Sequence, residues 1–321
     1  MTSIIFMGTP AFSAPILQSL VDQEEYNVIG VVTQPDRKVG RKHVLTMSPV
    51  KKVAQENSIP VYQPEKLSGS DELKELIELN ADLIVTAAFG QFLPMSLINS
   101  VKIGAVNVHA SLLPKYRGGA PVHYAIMNGD QETGVTIIYM VKKMDAGDML
   151  AQRSIAITPT DDVGSMFTKL SVLGQQLLLE TLPSLIDGSV KAVAQNEDEV
   201  SFSPNIKPEE EQVDINLSAQ LVDAKTRGLR PFPGAFVFLD KQRVKLWEVK
   251  IEDEMTDLPA GSVVEKTKHS LKLATGEHGV ISLITVQPAG KPKMNITDYL
   301  NGSSDSFFEG EQVVKYDENA K

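Results

Sequence analysis

The chain contains no cysteine, which removes disulfides, thiolate nucleophiles and cysteine zinc sites from consideration. A reducing cytoplasm fits that absence. It also lacks any apolar run near the roughly 18–20 residues that cross a bilayer. The opening Met-Thr-Ser-Ile-Ile-Phe-Met-Gly has no basic region before its apolar stretch and turns immediately after it, so it reads as a first strand and not as a signal peptide. A third absence concerns phosphate binding. The turn after that strand is Gly8-Thr9-Pro10, without the G-x-G-x-x-G glycines that admit a pyrophosphate, and Pro10 removes an amide donor. A nicotinamide-dependent dehydrogenase is disfavoured on that ground. Bases are outnumbered as well, for the formal net charge is −10, an unpromising total for a nucleic-acid binder.

What is present is enough chain, at 321 residues, for two ordinary cores. Short apolar strands alternate with amphipathic helices through the first two hundred residues. Strands are expected at Ser3–Met7 and Asn27–Thr33, within ADLIVTAAFG and IGAVNVHA, and over Val135–Met140. Helices are expected over Ala11–Asp22, from Ser48-Pro49 onward, over Asp71–Asn80 and over Val163–Ile186. This alternation predicts an α/β fold, a Rossmann-like open and mostly parallel sheet. Such sheets bind ligands beyond the carboxyl ends of their strands, here just after Ala88, His109 and Met140. Asn196–Glu211 is polar and acidic with Pro204 and Pro208, and its later part reads as a linker. Beyond it, one helix (Leu217–Arg227) and five short alternating segments between Ala235 and Val286 predict a small β-barrel of the oligonucleotide-binding (OB-like) type. The division expected is residues 1–203, a linker 204–211, and a barrel domain 212–321.

Charge is uneven along the chain. From Arg37 to Lys52 the sequence RKVGRKHVLTMSPVKK holds six bases and no acid. By itself such a run is as readily a solvated loop as a nucleic-acid contact. Residues 201–321 carry 15 bases and 19 acids, so RNA binding there needs one basic face. Lys225, Arg227, Arg230, Lys241, Arg243 and Lys245 are its candidates, with the acids Glu209–Glu211 and Glu252–Asp257 pointing elsewhere.

The densest stretch is GAVNVHASLLPKYRGGAP, Gly104–Pro121. Strand periodicity puts Asn107 and His109 on one face, and a buried strand has little reason to pair two such groups unless they hold something. A lone histidine there would more often be a satisfied interior residue. The Ser111–Pro114 turn and the Arg117-Gly118-Gly119 run that follow form an irregular, apolar loop able to wall a flat heterocycle, with backbone groups free to read its edge. Asp145 lies in a glycine-containing loop after the next strand. Alone it would be an Asx-turn former.

Together, NVHASLLPKYRGGAP and MDAGD resemble the signature of the folate-dependent formyltransferase family. FMGTPAF, VVTQPDRKVGRK, PVYQPEKL, VTAAFGQFLP, ETGVTIIYM and QPAGKPKM extend the likeness to the family's tRNA-acting branch over nearly the whole chain. Ala11 departs from it, standing where an acidic residue is expected. The resemblance implies a monomeric enzyme of the cytoplasm and translation initiation. It would move the formyl group of 10-formyltetrahydrofolate, as donor substrate and without a metal, to the methionine amine of initiator methionyl-tRNA. Asn107, His109 and Asp145 would be catalytic. Asn107 and His109 would donate to the oxyanion, and Asp145 would orient the imidazole, favour its charged form and help move a proton. Ser111, Leu112, Leu113 and Pro114 would line the folate pocket, with backbone at Phe89 and Gly90 as the opposite wall. Phe12 would pack on the methionine side chain, and Gly40, Arg41 and Lys42 would belong to a basic loop meeting the tRNA, a loop that need not be ordered without RNA. His43, His123, His269 and His278 receive no role. An amino-sugar nucleotide acceptor, or hydrolysis of the folate to formate, uses a similar core. The basic loop and the C-terminal domain argue against both. A non-catalytic RNA-binding relative would have lost one of the three catalytic residues, and all three are present.

Overall fold

The strands that sequence periodicity picks out assemble, in a computed structural model describing residues 1–40, 43–302 and 306–316, into two separate sheets. The seven-stranded sheet contains β1 (Thr2–Gly8), β2 (Tyr26–Val32), β5 (Val61–Tyr62), β6 (Leu83–Ala87), β7 (Gly104–His109), β8 (Glu132–Tyr139) and β9 (Met149–Ala156), in the order β5-β2-β1-β6-β7-β8-β9. Pairing is parallel from β5 to β7. Every residue of β6 is buried, which is why it reads as an unbroken apolar run instead of an alternating one. Ile5, Met7, Val32, Leu76, Ile84 and Phe89 belong to one buried cluster.

The helices begin where local chemistry says they should. Ser48 caps α2 (Pro49–Glu56), its hydroxyl accepting from Lys51 N at 3.0 Å, and Ser70 caps α3 (Asp71–Glu78) in the same way. Each such cap stabilises its helix by about 1 kcal/mol. Helix α1 spans Ala14–Val21, shorter than expected, because residues 11–13 form a turn.

Strand β8 runs antiparallel to β7, and β9 antiparallel to β8. The carboxyl end of β8 therefore lies beside the start of β7, with Tyr139 opposite Val106, while His109 faces Thr136. This corrects the strand direction assumed in expecting the site just after Met140: the loop beyond Met140, and not a parallel strand end, carries Asp145 there. Composition marks a strand as buried but says nothing of its direction. The loop after β8 returns to the site only by doubling back, with Tyr139 N donating to Asp148 O at 3.0 Å.

The basic run is not a loop throughout. Arg37–Val39 (β3) and Val44–Thr46 (β4) pair as an antiparallel hairpin. Gly40 stands at its turn with φ +70°, a conformation glycine adopts at no steric cost. Arg41 and Lys42 lie outside the described residues.

The chain forms two compact units. The first holds Met1–Pro121, Glu132–Ala156 and Phe167–Pro204, and the second holds Val122–Gln131, Ile157–Met166 and Asn205–Lys321. The second is built on an antiparallel sheet of β10 (Phe236–Leu239), β11 (Gln242–Glu252), β12 (Val263–Lys266), β13 (Leu271–Ala274) and β14 (Val280–Pro288), in the order β10-β11-β14-β13-β12. The sheet curls, for the chain near Gln312–Val314 bridges Ser262 at one edge and Leu239 at the other. Among the described residues no helix is long and apolar enough to cross a membrane.

Candidate active site

Parallel pairing of β6 with β7 sets Thr86 opposite Asn107. Thr86, buried and unnoticed in the sequence, donates from Oγ1 to Asn107 Oδ1 at 2.8 Å. The Asn107 amide nitrogen then faces Asp145 Oδ1 at 3.5 Å. Two residues on and on the same face, His109 is 5% exposed. Its Nε2 lies 3.0 Å from Tyr116 O. A carbonyl only accepts, so Nε2 carries a hydrogen. The other ring nitrogen, Nδ1, is 3.7 Å from Asp145 Oδ2. Both imidazole nitrogens thus face oxygen acceptors.

Asp145 reaches this place at the cost of a left-handed backbone, φ +49°, which costs a non-glycine residue about 1 kcal/mol or more. Several contacts hold it. Gly118 N donates to Oδ2 at 2.9 Å, and Gln195 Nε2 donates to Asp145 O at 2.8 Å and Gly147 O at 2.7 Å. Gly147 must be glycine because a Cβ there would stand 1.8 Å from Tyr139 O. The three residues singled out in the sequence are therefore brought together, with the carboxylate between the amide and the imidazole.

The loop after His109 is more tightly tied than its irregular sequence suggests. Thr136 Oγ1 donates to Ser111 O at 2.7 Å and accepts from Leu113 N at 3.2 Å, and Gln152 Nε2 donates to Leu113 O at 2.8 Å. Ser111 Oγ donates to Lys115 O at 2.7 Å. These backbone groups are engaged within the chain, which corrects the picture of a loop with free edges. Ser111 and Leu113 are buried, whereas Leu112 and Pro114 keep partly exposed surfaces. The Phe89 ring is in the core, its carbonyl accepting from Thr9 Oγ1 and Gln34 Nε2. Gly90 beside it is exposed with φ +85°. Phe12 is 4% exposed, edge-on to Phe167 at 6.1 Å.

The segment after Gln195, the polar stretch ahead of the expected linker, lies along the 114–120 loop. Arg117 N donates to Ser201 O at 2.9 Å, Ser203 N to Arg117 O at 2.8 Å, and Ala120 N to Ser203 O at 3.0 Å. Glu197 accepts from Arg117 and from Lys143 at 2.8 and 2.9 Å. Hydrogen bonds, from Arg117 first and then Lys143, hold its carboxyl down to about 2. No separate role falls to Thr86, Arg117 or Gln195 from sequence, because their partners are distant: Thr86 and Asn107 lie 21 positions apart, and Arg117 and Gln195 lie 78 apart. Among the described residues no group of three or more histidines and acids could hold a metal ion.

In the second unit, most of the bases proposed for an RNA face are already engaged. Arg227 bonds Asp223 and Asp161 O, and Arg230 bonds Asp162 and Trp247 O. Arg243 pairs with Glu211 and stacks over Phe236, and Lys245 donates to Pro233 O. Burial lowers the Lys225 pKa, opposed by the charge of Glu210. The acids Glu210 and Glu211 therefore lie among these bases instead of pointing elsewhere, because local charge balance is cheaper than a one-sided field.

Residues 1–182 match the formyl transferase family, and residues 205–304 match the formyl transferase C-terminal domain. A methionyl-tRNA formyltransferase of Pediococcus pentosaceus is 73% identical, covering 99% of this chain and 100% of the relative. Another, of Levilactobacillus brevis, is 66% identical over 98% of this chain and all of its own length. Among solved structures, an N-formyltransferase from Helicobacter canadensis, in complex with folinic acid and dTDP-3-aminofucose, superposes with a TM-score of 0.69. That likeness covers 90% of this chain and 100% of the other at 17% identity, and it speaks for the fold alone. With both parts of the chain matched and relatives similar from end to end, the chain belongs to the formyl transferase family.

Proposed function

We propose that this chain transfers the formyl group of 10-formyltetrahydrofolate to the free amine of methionine on initiator methionyl-tRNA, acting as a cytoplasmic monomer in translation initiation. The observation that carries this reading is the end-to-end identity of 73% with a methionyl-tRNA formyltransferase, supported by the convergence of Asn107, His109 and Asp145. In this mechanism the amine nitrogen attacks the formyl carbon, and negative charge develops on the formyl oxygen. The bond from that carbon to the folate nitrogen then breaks, and the proton lost by the amine ends on the departing nitrogen. Asn107 Nδ2 donates to the developing oxyanion. Removing one such donor typically costs about 3–4 kcal/mol. His109, its Nε2 committed to Tyr116 O, offers Nδ1 as its second donor. Asp145 orients that ring edge and relays the amine proton.

In the same reading the folate ring rests against Leu112 and Pro114, with the backbone of Phe89 and Gly90 opposite and Ser111 and Leu113 shaping the turn from within. Phe12 packs on the methionine side chain. The basic run from Arg37 to Lys52, to which Gly40, Arg41 and Lys42 belong, meets the acceptor end of the tRNA, and the barrel that follows residues 204–211 makes further RNA contacts.

The test is a formyl-transfer assay with 10-formyltetrahydrofolate, comparing initiator methionyl-tRNA, elongator methionyl-tRNA and free methionine. Strong preference for the charged initiator supports the reading. Release of formate with no transfer to any of the three would leave folate chemistry and remove the tRNA.

A further inference from the structure

Gln195 joins the two loops that build the site. Its Nε2 holds the Asp145 turn through the carbonyls of Asp145 and Gly147 at 2.8 and 2.7 Å. Its Oε1 accepts from Arg117 Nε at 3.0 Å and from Arg117 Nη2 at 2.8 Å. That two-pronged, charge-assisted contact fixes which end of the amide faces which loop. An oxygen gripped by the guanidinium leaves only the NH2 group to meet the two carbonyls. Arg117 is 1% exposed, and its Nη1 has no partner among the described residues, so its donors go to this one amide and to Glu197. The neighbours of Arg117 touch the catalytic groups directly. Tyr116 O accepts from His109, and Gly118 N donates to Asp145.

We propose that Gln195, oriented by Arg117, is a positioning residue for formyl transfer: it locks the Asp145 turn to the loop that anchors His109, and so sets the distance between carboxylate and imidazole. The proposal rests on the function proposed above. It concerns a residue that touches no reacting atom and acts through Asp145. Gly118 N and Asn107 Nδ2 hold the carboxylate but not the backbone of the turn, which carries an unfavourable φ at Asp145 that an isolated loop would relax. Gln195 opposes that relaxation at the two carbonyls flanking Ala146.

Gln195→Glu separates this role from a merely structural one. Glutamate keeps, and strengthens, the acceptor for Arg117, but it sets a carboxylate oxygen against the two carbonyls that Nε2 now satisfies. If the Arg117 contact were all that mattered, the variant would behave as the wild type. Positioning predicts instead that kcat falls roughly 10- to 100-fold, the loss typical of about 1 Å of misplacement, with KM for folate and for tRNA changed by less than about threefold. The ring-nitrogen resonances of His109, resolvable in a chain of five histidines, should also move in the free protein. Should Gln195→Glu fail to fold, Arg117→Lys is scored in the same way, since it leaves Gln195 in place but withdraws the two-pronged grip. Unchanged kcat with unchanged His109 resonances would overturn the proposal, as would a loss residing wholly in KM. If the wild type transfers no formyl group to methionyl-tRNA, the functional reading falls, while the His109 resonances still decide whether Gln195 sets the site.

Discussion

Thr86 Oγ1 donates to Asn107 Oδ1 at 2.8 Å across the β6–β7 ladder, and this bond aims the amide. With its oxygen held on the β6 side, Asn107 turns its NH2 group toward Asp145, 3.5 Å from Oδ1. A residue on one strand thus decides what a residue on the next can donate to.

Replacing that hydroxyl tests the relationship. Thr86→Val keeps the shape of a buried strand residue and removes the donor, leaving the amide free to rotate. Stability should fall by about 1 kcal/mol, the usual worth of such a bond, and kcat by roughly tenfold, equivalent to about 1.4 kcal/mol of transition-state stabilisation. Denaturant unfolding and steady-state kinetics on the same preparation measure both. Wild-type kcat in a folded variant would mean that the amide is aimed by something else.

Asp145→Ala removes the group that the other two converge on. The left-handed turn retains its Gln195 bonds, which involve backbone carbonyls only, so the fold should persist with an unaltered circular dichroism spectrum. Turnover should drop by about 10³-fold or more, on the scale of losing a key electrostatic group. Near-normal activity would take Asp145 out of the chemistry.

Acid should loosen the contact between Glu197 and Arg117 before the core. Glu197 titrates at about 2 in the folded protein against an ordinary value of 4.5. A depressed folded-state pKa contributes stability that is fully present above 4.5 and is lost as pH falls through that window toward about 2. In Glu197→Gln this portion of the pH dependence should vanish, leaving a flatter profile between those limits. Unfolding midpoints at successive pH steps through the window compare the two proteins. Parallel profiles would show that the ion pair, whose acid is 61% exposed, contributes nothing measurable.

In the proposed function the basic run addresses RNA and not folate. Arg41→Ala should raise KM for the tRNA substrate and leave KM for 10-formyltetrahydrofolate unchanged. If Arg41 neutralises one phosphate, the slope of log affinity against log salt should become shallower by about one. Equal loss of both substrates would count against this role.

Much of the fold was legible in sequence because the signals are local. Ser48-Pro49 and Ser70 start helices by satisfying backbone amides a few residues on. Alternation through Val106 and Val108 put Asn107 and His109 on one face before any partner was known, and the five barrel segments fell near their observed strands. The family motif then named chemistry that spacing alone could not. What tertiary structure decided is of another kind. It set the direction of β8, the pairing of Arg37–Val39 with Val44–Thr46, the engagement of Arg243 by Glu211, and the return of Gln195 to Arg117 and to the Asp145 turn. Periodicity and caps arise from backbone geometry within one or two turns, so a short window of sequence contains them. Strand direction and side-chain partners arise from close packing and charge balance between groups tens of residues apart, and those exist only once the chain has folded.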